Sequence, residues 1–396
     1  MNRKIAFITE GFMGSTLPLI RQLCSRGYNV DLYYCKREIH EPEACELEYC
    51  AEHYGINTIP REMYHGITQY VGTNNLTIYT FSQIKPFRSV PVVRNITQLI
   101  MKYQSYKAAQ VINAENYDAV NLICNYDMMH MIDLLHYLNG NAIVSMHEVW
   151  NHAKPSIKPS KLLAEIIHKR CKIVLFSDHS KSDITQIDGI NMDLVKVNPF
   201  GLFDSYASLS ESELPEKLPE KYLLFFGYIR PYKGLGILHD AIKTMGDALN
   251  GYKIVIAGEG DDPVLEEIKN DDRFVLIPRF IHNRELVTMI KHAYAVVCPY
   301  LTMSQSGIPQ TAFPFGTPII ASELDGFCEM ITKEVGMLFP TGDSQSLAQC
   351  ISDLIQHPNR REQMHRNIAS FSQRYPKYDW GNICDKYLKI IVNDHE

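Results

Sequence analysis

KIAFITEGFMGSTLPLIRQLCSRGYNVDLYYC, residues 4–35, decides the fold. It opens on a solidly apolar run, Lys4 to Thr9, too short for a helix and without alternation, which is how a strand buried on both faces reads. A loop with Gly11 and Gly14 follows, then an amphipathic stretch from Thr16 to Arg26 with Leu17, Ile20 and Leu23 at helical spacing. Gly27 stops that helix, and Tyr28 to Cys35 reads as a second strand. Two strands joined through a helix form a parallel pair, because only a crossover connection allows it.

The same alternation continues along the chain. Apolar runs recur at Leu76–Phe81, Ala119–Cys124, Ala142–Met146, Ile173–Phe176 and Leu194–Val197, with helix-length segments such as 96–114 and 158–170 between them. After Asn198-Pro199-Phe200-Gly201 comes ASLSESELPEKLPEK (207–221), whose polar, acidic, proline-bearing composition is that of a linker. A second series then begins, with strands at 222–226, 253–257, 274–277, 295–298, 318–321 and 335–339, and helices at 234–247, 262–269, 283–292 and from about 306. The pattern predicts an α/β protein of two doubly wound, Rossmann-like parallel-sheet domains, 1–200 and 201–375. A helical tail, 344–392, ends in a helix (about 376–396) expected to cross back onto the first domain.

Composition narrows the function. At 396 residues, 45% apolar and 21% charged, the chain is neither disordered nor fibrous. Its net charge is −6, with +1 in residues 1–200 and −7 in 201–396, which gives no sign of a dedicated nucleic-acid binder. Ten cysteines show no CxxC pair and no zinc spacing, and several lie in apolar strands, so buried free thiols and a cytoplasmic location are expected. The N-terminal stretch reaches Glu10 after too few apolar residues for a signal peptide, and nowhere do about 18 apolar residues run together.

FFGYIRPYKG, residues 225–234, carries the most chemistry. A strand opens into a loop bearing Arg230 and Lys233 just ahead of Gly234 and a helix. Two cations beside a helix N-terminus, at the carboxyl end of a parallel strand, suit a diphosphate and hence a nucleotide-linked substrate. Downstream come KIVIAGEGDD (253–262), RFIHNREL (279–286), CPYLTMSQSGIPQTAFPFGTPIIAS (298–322) and DGFCEMI (325–331).

In this order these segments resemble the C-terminal domain of GT-B glycosyltransferases, in particular the retaining glycosyltransferase family 4 (glycosyl transferases group 1). The resemblance is detailed over roughly 222–340 and looser before it. It implies a UDP- or GDP-sugar donor held by the second domain, a glycan or lipid-linked acceptor held by the first, and two domains facing across a cleft. Arg230 and Lys233 would then neutralise the leaving diphosphate. Gly227, Arg279, Ser304, Gln305, Ser306, Gly307 and Ile308 would line the donor site, with the amides of a helix opening at 306–308 on the phosphates. Two departures stand out. Where the family commonly places Glu-x7-Glu, this chain has Met303 and Thr311, and its usual arginine after the first glycine is Tyr228, so sugar and ribose recognition would be rebuilt through Gln305, Gln310 and Thr311.

In the first domain SMHEVWNH (145–152) follows an apolar strand, which sets His147 and Glu148 at its carboxyl end, where α/β folds place ligands. His147 matches a family histidine near the reacting sugar, and Gly14 and Ser15 fall in a loop resembling the one that approaches the donor phosphate. No Asp-x-Asp metal clamp is present, so no cofactor and no metal are expected. From Met63 to Ala114 there is no Asp or Glu, while Lys85, Arg88, Arg94, Lys102 and Lys107 occur, and residues 154–172 add six cations against Glu165. Such a basic face suits an anionic membrane at the inner surface of the cell. Two rival readings stay open: a nucleotide-sugar epimerase on the same architecture, and a binding subunit that has lost catalysis.

Overall fold

β1 (Lys4–Thr9) and β2 (Asn29–Lys36) pair in parallel, Lys4 opposite Asn29 and Thr9 opposite Tyr34, with the helix Met13–Ser25 between them. The computed structural model describes residues 3–36, 53–84, 91–126, 128–140, 142–150, 157–209, 212, 218–303 and 306–392. The chain divides into two compact units, Met1–Gly201 with Lys377–Glu396, and Leu202–Pro376.

The first unit adds β3 (Gly55–Thr58), β4 (Leu76–Ser82), β5 (Ala119–Cys124), β6 (Ala142–Met146), β7 (Lys172–Leu175) and β8 (Val195–Val197) in the order β3-β4-β2-β1-β5-β6-β7-β8. The order reverses between β1 and β5, which opens a crevice at their carboxyl ends. All pairs are parallel except β3 with β4, where Gly55 lies opposite Ser82. That antiparallel edge corrects the expectation of a wholly parallel sheet. GINT is short, half exposed and without an apolar run, so it carries no strand signature.

The C-terminal helix Trp380–Val392 covers one face of this sheet. Ile390 packs with Ala119, Ile143 and Val174, and Tyr387 stacks on Phe7 at 5.9 Å. The Asn198 amide donates to the Ile383 carbonyl at 3.1 Å, which fixes the end of β8 against the same helix. Gly201 lies directly beneath Trp380, and a Cβ built there would sit 2.6 Å from the indole.

The second unit is built from β9 (Tyr222–Phe226), β10 (Lys253–Ala257), β11 (Phe274–Ile277), β12 (Val296–Cys298), β13 (Ile319–Ser322) and β14 (Gly336–Phe339), all parallel, in the order β11-β10-β9-β12-β13-β14. Its switch point falls between β9 and β12, and every residue of both strands is buried. Both units are Rossmann-like α/β layers, as the apolar runs predict.

Two helices differ from expectation. The first begins at Met13, not Thr16, so Gly14 and Ser15 are helical and buried and the loop shrinks to residues 10–12. The helix expected from about 306 is only Ile308–Ala312 followed by the 3₁₀ turn Phe313–Phe315, because Pro309 and Pro314 withhold two backbone donors. Among the described residues no helix is long and apolar enough to cross a membrane.

Gly201→Ala should force Trp380 out of place and cost about 1–3 kcal/mol, the scale of overpacking. A lowered Tm together with a shifted tryptophan emission would report it, and an unchanged Tm would contradict this packing.

Candidate functional site

The loop after β9 is held as an extension of the sheet before it turns away. Gly227 N–H donates to the Ala257 carbonyl at 3.0 Å, and Ile229 N–H to the Glu259 carbonyl at 2.7 Å. Pro231–Lys233 then forms a 3₁₀ turn that ends at Gly234 (φ +70) and enters the helix Leu235–Met245. A Cβ on Gly234 would lie 1.9 Å from the Pro299 carbonyl oxygen, so only glycine lets this turn press against the end of β12. Leu301 N–H donates to the Tyr232 carbonyl at 2.7 Å and closes the same junction. Lys233 is therefore fixed at the switch point between β9 and β12.

Lys233 is 8% exposed. Its Nζ would lie 3.2 Å from a Cβ on Gly227, so that glycine's missing side chain makes room for the ammonium. Nζ sits 5.2 Å from the centre of the Tyr300 ring, and no carboxylate pairs with it among the described residues. Burial pushes its pKa down to about 8. Cys298 supplies no counter-charge, since burial raises its thiol far above neutrality. At pH 7 the ammonium is thus largely protonated, desolvated and uncompensated, an arrangement that costs stability and that an incoming anion relieves.

Arg230 departs from the expected pairing with Lys233 in one pocket. It is exposed, and its guanidinium lies 4.8 Å from the centre of the exposed Tyr228 ring. Arg279 is exposed as well and holds Glu285 through two bonds of 2.5 and 2.8 Å. Among the described residues the structure therefore isolates Lys233 as the buried cation of this loop region.

Ser306 accepts from Ile308 N–H at 3.3 Å, and Gly307 caps the short helix against the Phe203 ring, 3.1 Å from where a Cβ would be. Thr311 donates its hydroxyl to the Gly307 carbonyl at 2.8 Å. A five-residue helix has little macrodipole, so amides at 306–308 contribute less to anion binding than a full helix would. Gln310 is 4% exposed, with a buried Oε1 that has no hydrogen-bond partner among the described residues. Ser304 and Gln305 lie outside the described residues, and Met303 is half-buried.

In the first unit His147 follows β6, and its backbone N–H donates to the Cys124 carbonyl at 3.0 Å. Its ring stacks on Phe12 at 3.7 Å, with Phe200 and Phe176 at 4.8 and 4.9 Å. Phe12 holds this position in the left-handed region (φ 55, ψ 24), rare for a bulky residue. Its carbonyl accepts from the amides and hydroxyls of Ser15 and Thr16 at 2.8–3.1 Å, which stabilises the strained turn and commits the Ser15 hydroxyl to it. Among the described residues the buried Nε2 of His147 has no hydrogen-bond partner, and burial pushes the ring's pKa down to about 3. His147 is thus a neutral hydrogen-bonding group at a sheet mouth. Phe12, Tyr300 and the depth of Gln310 were not signalled by sequence, because αL geometry and burial depth have no periodicity.

Among the described residues no group of three or more His, Cys, Asp or Glu is placed to hold a metal ion.

A histidine whose folded pKa lies below its unfolded value of about 6.5 costs stability as pH falls between the two, because the unfolded chain binds the extra proton. Relative to His147→Phe, the wild type should lose up to about 1.4 kcal/mol per pH unit below pH 6.5. Urea unfolding at pH 7.5 and 5 reads the difference, and parallel losses in both proteins would show that His147 is not buried neutral.

Residues 220–357 match the family model for glycosyl transferases group 1. The chain is 26% identical over 211 residues to a phosphatidyl-myo-inositol mannosyltransferase of Mycobacterium leprae, covering 52% of this chain and 55% of that one, so it spans little more than half of that relative's length. It is 27% identical over 269 residues to the D-rhamnosyltransferase WbpZ of Pseudomonas aeruginosa, covering 64% and 68%. Among solved structures, Anabaena HepE in complex with UDP and glucose matches with a TM-score of 0.64 and 15% identity over 99% of this chain and 100% of that one. The two parallel-sheet units are those of the GT-B fold, and within it residues 220–357 match glycosyl transferases group 1.

Proposed function

We propose that this chain is a metal-independent, retaining glycosyltransferase of family 4. It moves a sugar from a UDP- or GDP-sugar onto a glycan or lipid-linked acceptor in surface-polysaccharide biosynthesis, in the cytoplasm and in contact with an anionic membrane. The observation that carries this reading is the buried, uncompensated ammonium of Lys233 at the switch point of the second sheet. The HepE complex with UDP and glucose supports a nucleotide-sugar donor, and the mannosyl- and rhamnosyltransferases support sugar transfer.

In this reading the bond between the sugar C1 and the phosphate oxygen breaks, and negative charge grows on the departing diphosphate. Lys233 stabilises that charge more strongly than it would in water, because its site is already desolvated. The acceptor hydroxyl oxygen bonds to C1 on the face the phosphate leaves, and its proton passes to the leaving phosphate oxygen. His147, neutral at working pH, donates or accepts a hydrogen bond and supplies no charge. Gln310 and Thr311 stand in for the carboxylates the family commonly uses, with the Gln310 Oε1 accepting from a donor hydroxyl.

Incubation with UDP- and GDP-sugars and glycan or lipid acceptors should release UDP or GDP with transfer. Lys233→Met should lower turnover by about 10²–10³, the scale of losing one preorganised electrostatic contact, without lowering Tm at pH 7. Arg230→Ala, at an exposed position, should cost less. Turnover of Lys233→Met equal to wild type would reject the assignment. Sugar isomerisation without acceptor would make the chain an epimerase, and nucleotide binding without turnover a binding subunit.

A further inference from the structure

The helix Pro91–Ala114 wears its apolar residues on the outside. Its buried side chains are Thr97, Ser105, Ala108, Ala109 and Ile112, which share one face and are mostly small or polar. At about 100° per residue, Val92, Ile96, Leu99 and Tyr103 fall within roughly 60° of one another on the opposite face. They are 67%, 52%, 67% and 60% exposed, and Ile100 and Tyr106 flank them at 39% and 41%. A helix of a soluble domain normally turns such a stripe inward. Scattered exposed apolar residues need no explanation, but a continuous row along about 20 Å of one helix does.

Charge decides what covers it. At the same 100° per residue Lys102 and Lys107, both exposed, flank the stripe on its two sides, while Arg94 lies on the opposite side; the helix has no Asp or Glu, inside a stretch from Met63 to Ala114 that has no acid at all. Tyrosines at 103 and 106 add side chains with an apolar body and a polar tip, which favour the boundary between hydrocarbon and water. Aliphatic residues flanked by cations on both sides, with no acid on the helix, suit an anionic bilayer surface better than a protein surface of ordinary mixed charge. No described helix can cross a membrane, so this one would lie in the interface.

We propose that the outward face of the helix Pro91–Ala114 docks the chain on an anionic lipid bilayer, with Val92, Ile96, Leu99 and Tyr103 entering the headgroup region and Lys102 and Lys107, on either side of that stripe, meeting lipid phosphates. This deepens the membrane contact of the proposed function and does not depend on the transfer chemistry.

Flotation with vesicles of phosphatidylglycerol mixed with phosphatidylcholine, and of phosphatidylcholine alone, tests it. The wild type should bind the anionic vesicles in a salt-sensitive way and bind neutral ones about 25-fold more weakly, from roughly fivefold for each of the two flanking lysines. Leu99→Ser with Tyr103→Ser should weaken anionic binding at least about tenfold, and Lys102→Glu with Lys107→Glu similarly. Both variants change exposed positions, so circular dichroism and Tm should match wild type. Failure of the wild type to float at low salt would overturn the proposal. So would a double variant that floats like wild type, or a wild-type dimer by light scattering that the serine variant dissolves. UDP binding measured in the same samples keeps failure here separate from failure of the transferase reading.

Discussion

An ammonium held out of water without a counter-ion opposes folding, and the second unit keeps one, unpaired among the described residues, at the switch point of its sheet. Lys233 is there because Gly234 lets the 3₁₀ turn press on Pro299, because Gly227 leaves space beside Nζ, and because Tyr300 offers a ring face where a carboxylate would otherwise be expected. Each neighbour is neutral at pH 7. Among the described residues the charge is therefore uncompensated, and in the proposed function a diphosphate offsets it.

The first unit solves the opposite problem. It packs a titratable ring among Phe12, Phe176 and Phe200 and lowers its pKa until it stays neutral, so a hydrogen-bonding edge is available without charge. The left-handed Phe12 is the backbone cost of that arrangement, offset by four hydrogen bonds to its carbonyl.

Most strands were legible because buried parallel strands are written as continuous apolar runs, as at KIAFIT and YLLFF. GINT was not, since a half-exposed edge strand needs no such run. The helix from about 306 is irregular, as Pro309 and Pro314 imply, and what the sequence does not show is how short it is: Ile308–Ala312 and one 3₁₀ turn. Arg230 and Lys233 looked equivalent in FFGYIRPYKG, for a loop has no repeat to say which side chain turns inward, and only the coordinates separate the buried cation from the exposed one. Helix 91–114 inverts the usual rule: its amphipathic pattern is plain, but pattern alone assigns the aliphatic side to the core, whereas it is the small and polar side that packs.

Calorimetric titration of UDP and GDP into the protein at pH 8, in two buffers of different ionisation enthalpy, bears most directly on the buried ammonium. Half-deprotonated in the free protein, Lys233 should take up a fraction of a proton, about 0.5, as the diphosphate raises its pKa. Lys233→Met should show neither that uptake nor comparable affinity. Equal affinity in the variant, or binding by the wild type with no proton uptake, would contradict the account.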